Sequence, residues 1–127
     1  RPGRHEALSD LGEAFEQLNR TSYAISAFER AVQLAPDEGR YAYRLGRLYI
    51  DNNQLRLAER SLARAIEVAE AKEDAPTWLS DAHRLLGDTY RALRNRRSAK
   101  EAYERFLELA PADSIDRTEV ERRVREL

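Results

Sequence analysis

Apolar residues return along this chain at the three- and four-residue intervals of an α-helix. Leu8, Leu11, Phe15 and Leu18 share one face, and Ala24, Phe28, Ala31 and Leu34 share another. Two amphipathic helices are therefore expected in the first third of the sequence. Between them, Asn19-Arg20-Thr21-Ser22 supplies turn and cap residues, and Asn19 tolerates a left-handed backbone. Pro36 and Pro111 end helices, because proline lacks the N–H that the ladder needs. Carried along the chain, the pattern predicts helices over 5–18, 21–34, 39–51, 55–72, 76–93, 97–109 and 114–126.

The pattern also repeats at a larger scale. Leu11-Gly12-x-x-Phe15 returns as Leu45-Gly46-x-x-Tyr49 and as Leu86-Gly87-x-x-Tyr90, with the glycines 34 and then 41 residues apart. Downstream of each stand Ala24, Phe28, Ala31 and Pro36; then Ala58, Leu62, Ala65 and Glu70; then Ala99, Tyr103, Phe106 and Pro111. This resembles the tetratricopeptide repeat, and the resemblance covers about 105 residues of the chain. It implies an all-α fold, an α-α superhelix of three helix-turn-helix repeats with a C-terminal solvating helix. The expected units are residues 5–38, 39–72 and 80–113, in one domain over 5–127 after a linker at 1–4. Glycine within a helix costs about 1 kcal/mol against alanine. Gly12, Gly46 and Gly87 therefore indicate close approach of a second helix, with Ala24, Ala58 and Ala99 expected as its small counterparts.

Two segments depart from the 34-residue period. Residues 73–79 are an insertion, and seven residues make about two helical turns. One extra turn on each neighbouring helix keeps both in phase, with Pro76 in the first turn of the second. Leu79 then extends the core stripe of Leu86 and Tyr90, whereas Trp78 lies off it, as a packing residue or as a ligand anchor at a groove edge. In the segment 114–127, Val120, Val124 and Leu127 occupy core positions, but Glu121 replaces the glycine and no partner helix follows. With Glu119–Arg123 and Glu121–Arg125 available as outer pairs, this segment reads as a terminal cap. No cap precedes Leu8, so further protein is expected on that side. The absence of methionine also points to a piece of a longer polypeptide.

Composition narrows the chemistry. Basic and acidic residues number 22 and 23, so the net charge of −1 offers no field for nucleic acid or an anionic membrane. No apolar run approaches the length of about 20 residues that a membrane span needs, and a cytoplasmic protein is expected. There is no cysteine, and only His5 and His83 are available as imidazoles. Neither a metal site nor a cofactor is expected. Ser80, Asp81 and His83 cannot form a relay, because residues one or two apart on a helix do not face each other. His83 falls at a core position and is read as packed; His5 falls in a frayed start. No phosphate loop or zinc motif occurs, and the chain is not expected to be an enzyme. Arg94, Arg96, Arg97 and Lys100 cluster at one turn, read as a solvated turn with no more than a minor contact to an acidic partner.

The family resemblance implies a binding surface. In that family the first helix of each unit lines a concave face. The corresponding positions are Glu6, Ser9, Glu13 and Glu16; Arg40, Tyr43, Arg47 and Ile50; and Asp81, Arg84, Asp88 and Arg91. Helical spacing independently places each set on one stripe. Some members clamp a peptide's terminal carboxylate with lysine and asparagine, but Ser9 and Glu13 stand at those places here. Across the helices, Glu6, Arg40 and Asp81 form one alternating row, and Glu13, Arg47 and Asp88 another. Such rows either pair between repeats, at about 0–1 kcal/mol each, or present arginines to a partner's carboxylates. The expected function is protein–protein interaction through a peptide or partner domain, with Arg40, Tyr43, Arg47, Arg84, Asp88 and Arg91 as groove residues. The alternatives are a scaffold segment of a longer superhelix without its own ligand, and a ligand-sensing regulatory domain.

Overall fold

A computed structural model describes residues 3–127, which form seven helices and no strand. They are α1 (Arg4–Gln17), α2 (Thr21–Leu34), α3 (Gly39–Asp51), α4 (Leu55–Glu70), α5 (Leu79–Ala92), α6 (Arg96–Leu109) and α7 (Arg117–Glu126). Consecutive helices pair as α1 with α2, α3 with α4 and α5 with α6, and each pair stacks on the next. Of the expected linker, Arg1 and Pro2 lie outside the described residues, Gly3 caps α1 in a left-handed conformation, and Arg4 is already helical.

The three turns inside the pairs are built alike. Asn19, Asn53 and Arg94 have φ of 59°, 58° and 63°. The next residue's N–H then reaches back to a carbonyl of the preceding helix: Arg20 to Phe15, Gln54 to Tyr49 and Asn95 to Tyr90, at 2.8–2.9 Å. This left-handed closure satisfies carbonyls that the helix end would leave unpaired.

Packing at the glycines differs from the sequence expectation in one respect. A Cβ on Gly12, Gly46 or Gly87 would lie within 2.6 Å of Phe28, Leu62 or Tyr103 respectively. The glycine makes room for a large side chain one turn beyond the alanine, while Ala24, Ala58 and Ala99 are themselves fully buried. Each pair thus locks a big residue of its second helix against a bare stretch of its first. Between pairs, the stripe Tyr41, Leu45 and Leu48 of α3 joins the cluster formed with α2, and Leu79, Ala82 and Leu86 of α5 join that of α4. The matching stripe on α1 lacks such a cover, leaving Leu11 46% and Leu18 68% exposed.

The insertion does not lengthen both helices. α4 ends at Glu70 and α5 begins at Leu79, so residues 71–78 form an irregular loop with Pro76 in the turn before α5, outside the helix. Proline disfavours helix in the residue before it, and Glu73-Asp74-Ala75 offers no apolar side chain of size to hold another turn against the core. Trp78 closes this loop: its ring stacks on Tyr43 at 5.0 Å and 12° and covers Gly39.

α7 places Val120 at full burial beside Tyr103 and Phe106, with Val124 and Leu127 packed at the edge. Its N-terminal Arg117 donates to the carbonyls of Leu107 (2.8 Å) and Ala110 (3.1 Å), which closes the end of α6. Glu119–Arg123 forms at 3.2 Å as expected, but Glu121–Arg125 does not; Arg122 instead bridges Glu119 and Glu126.

Candidate functional site

The stripe of positions expected to line the concave side runs over α1, α3 and α5. Its centre is a layered cluster. Tyr43 is only 8% exposed, and its hydroxyl donates to Asp81 Oδ2 at 2.6 Å. Arg84 donates to Asp81 Oδ1 through Nε (2.9 Å) and Nη2 (2.6 Å), with Asp88 at 3.7 Å and Asp116 at 3.8 Å. Burial, followed by the hydrogen bond to the Asp81 carboxylate, pushes the Tyr43 phenol up to about 12. Tyr43 and Arg84 are thus already engaged, the first as a core and hydrogen-bonding residue rather than a free side chain.

Neither charge row pairs as the sequence suggested. Arg44, one position off the expected stripe, reaches back to Glu13 (3.2 Å) and Glu16 (2.9 Å) on α1. Asp88 takes Arg123 of α7 at 2.6 Å and the Tyr103 hydroxyl at 2.5 Å instead of Arg47. Ser9 of α1, at 4% exposure, is buried and is not on an open groove. Arg44 and Arg123 were missed by sequence reasoning; only the surplus of acids on α1 hinted at the first.

What remains open on this surface is Arg40, Arg47 and Arg91, all exposed and without a carboxylate within 4 Å among the described residues. Arg47 lies over the Tyr43 ring at 5.7 Å and Arg40 over Tyr41 at 5.3 Å, each a cation–π contact. Arg47 borders a depression of about 370 Å3 with Tyr43, Ile50, Asp51, Asp81, Arg84 and Leu85.

The tetratricopeptide repeat pattern matches residues 5–38, 39–72 and 80–113. The chain belongs to the tetratricopeptide repeat family. No curated protein matches it at the level of sequence. Among solved structures, the N-terminal domain of stress-induced protein-1 from C. elegans is 18% identical, with a TM-score of 0.81 over 96% of this chain and 92% of that one. The first tetratricopeptide domain of Spaghetti (RPAP3), bound to the HSP90 peptide SRMEEVD, is 19% identical, with a TM-score of 0.85 over 99% and 94%. MamA protein is 26% identical, with a TM-score of 0.73 over 85% of this chain and 55% of that one. Tetratricopeptide repeats are a non-enzymatic, protein-interaction fold.

In this tetratricopeptide chain the would-be relay residues point apart. Asp81 faces Tyr43, whereas His83 is buried and faces Glu70 at 3.6 Å, with Nε2 lacking a hydrogen bond. Burial lowers the His83 pKa, opposed by the Glu70 carboxylate. His5 is not frayed: its Nδ1 lies 2.8 Å from the Tyr41 hydroxyl. No helix among the described residues is long and apolar enough to cross a membrane. No group of three or more histidine and carboxylate side chains is placed to hold a metal among them.

Proposed function

We propose that the chain captures an acidic peptide segment or partner domain on its concave face, with Arg47 as the principal carboxylate-binding residue. One observation carries this reading. Arg47 is an exposed arginine at the rim of the central depression, held in place over Tyr43 and paired with no acid among the described residues. A guanidinium already oriented by an aromatic ring loses little freedom when a carboxylate docks. Ile50 and Leu85 offer an apolar edge beside it, suited to an aliphatic or aromatic side chain next to the acid. Arg40 and Arg91 extend the open positive charge along the same stripe, while Arg84 and Asp88 form its fixed floor.

The peptide held by the RPAP3 domain carries glutamates and an aspartate, in keeping with an acidic partner here. The lysine and asparagine of the terminal clamp are replaced by Ser9 and Glu13, the first buried and the second spent on Arg44. The proposal is therefore for an internal acidic segment, not a terminal carboxylate. Binding of an array of internal acidic peptides, each with one leucine or phenylalanine, tests it. Arg47→Glu should weaken the best peptides by about 2 kcal/mol, and affinity should fall as salt rises. Arg60→Glu, on the exposed face of α4, should leave them bound. Retention of every peptide by a folded Arg47→Glu protein would remove Arg47 from the site.

A scaffold reading has one observation behind it, the uncovered apolar stripe of α1. Its counterparts on α3 and α5 are buried by the preceding pair. A helix of the α2 or α4 kind stacked there would make the chain a segment of a longer superhelix.

A further inference from the structure

The turn between α5 and α6 breaks a rule that the other two turns obey. All three place one residue in the left-handed region; the first two use asparagine, Asn19 and Asn53, and the third uses Arg94 at φ 63°. Asparagine is enriched in that conformation, whereas a long side chain there is strained. The backbone hydrogen bond that closes the turn is the same in all three, and the added cap of the third turn comes from Asn95, which accepts from the Ser98 N–H, so closure does not require an arginine. Strain retained without a structural return points to a task for the side chain itself.

The surroundings indicate the task. Arg91, Arg94, Arg96 and Arg123 border a depression of about 640 Å3 where α5 ends, α6 begins and α7 passes. The one acidic side chain that lines it, Glu126, is taken by Arg122 at 2.8 Å. Arg123 is neutralised by Asp88 and Glu119. Arg91, Arg94 and Arg96 have no acid within 4 Å among the described residues, nor do Arg97 and Lys100 on the next turn of α6. Positive charge is thus concentrated and uncompensated at one corner of a chain whose net charge is −1. The equivalent turns carry only Arg20 in the first unit and Arg56 in the second.

We infer that this corner is a second binding site, adjoining the concave face at Arg91 but centred on Arg94 and Arg96 off that stripe, for the acidic side chains of a carboxylate-rich peptide segment. Three guanidinium groups spread around a wide depression suit several spaced carboxylates, each held by a two-pronged contact. A single-stranded nucleic acid fits less well, because no aromatic side chain lines the depression for a base to stack on. Ala92 and Leu127 give it only a small apolar border.

Fluorescence anisotropy with labelled octaglutamate, at low and at physiological ionic strength, tests the site. The protein should bind the peptide at low ionic strength and more weakly at the higher one. Arg94→Asn combined with Arg96→Gln should weaken binding about tenfold or more, and Arg60→Gln should change it less than about twofold. Arg94→Asn installs the residue of the other turns, so its melting temperature should equal or exceed that of the parent, which separates lost binding from lost folding. Backbone amide shifts on adding octaglutamate should centre on residues 91–97. The inference is overturned by no binding at low ionic strength, by an unchanged double variant, by shifts confined to α3, or by tighter binding of octauridylate than of octaglutamate.

Discussion

One methyl group separates Gly87 from a steric conflict. An alanine Cβ there would sit 2.5 Å from two ring atoms of Tyr103, a side chain with no exposure and with its hydroxyl fixed on Asp88. Helix propensity favours Gly87→Ala by about 1 kcal/mol, but overpacking a filled interface costs about 1–3 kcal/mol. The variant should lose up to about 2 kcal/mol, measured as a lower midpoint in urea; a gain would mean that the α5–α6 crossing is looser than the geometry indicates. His83 offers a second test at this scale. Glu70, Arg105 and Glu108 face it, and burial dominates, so its folded pKa lies below the ordinary 6.5. As pH falls through 6.5, the unfolded chain takes up a proton that the folded chain resists. The stability that the neutral imidazole contributes is present above 6.5 and is lost as pH drops toward the folded value. The melting temperature should therefore decline on acidification below 6.5, and His83→Leu should flatten that part of the profile. Equal declines in the two proteins would exclude His83 as the cause.

Among the elements, α7 does the most with the fewest residues. Val120 is fully buried against the last pair, and Arg117 closes two carbonyls at the end of α6. Removing residues 114–127 would expose Tyr103, Phe106 and the α6 carbonyls together, in a stack whose units are stabilised by their neighbours. The truncated protein should melt several degrees lower or aggregate; an unchanged melting curve would show that the third pair needs no cover. The loop 71–78 is the other decisive element. It carries Trp78 onto Tyr43, which joins the second pair to the third through an aromatic stack, an arrangement worth about 0.5–1.5 kcal/mol beyond buried area. That geometry supports the packing reading of Trp78 over the ligand-anchor reading.

At the scale of the whole molecule, the two ends of the stack differ. α7 covers the last pair, whereas α1 leaves Leu11 and Leu18 largely facing outward, and the exposed Tyr23 of α2 lies against Phe15. Replacing Leu11 and Leu18 together by lysine removes apolar surface that the described residues cover only in part. The melting temperature should change little and solubility should rise, as read by thermal denaturation and by light scattering at high concentration. A large fall in melting temperature would place these leucines in the core after all.

Helix order, the pairing of helices and the position of the cap were legible in the sequence, because apolar spacing and the Leu-Gly-x-x-aromatic signature depend only on residues close along the chain. The register of side chains between pairs was not. Whether Arg44 or Arg47 meets α1 depends on how one pair stacks on the next, through contacts such as those of Tyr41, Leu45 and Leu48 with α2, which join residues far apart in the sequence. The same distance-dependent geometry decided that Asp88 turns to Arg123, that Tyr43 is buried under Trp78, and that Arg91, Arg94 and Arg96 gather beside α7. Local pattern determined which helices form; only their stacking decided which charges are spent on one another and which remain for a partner.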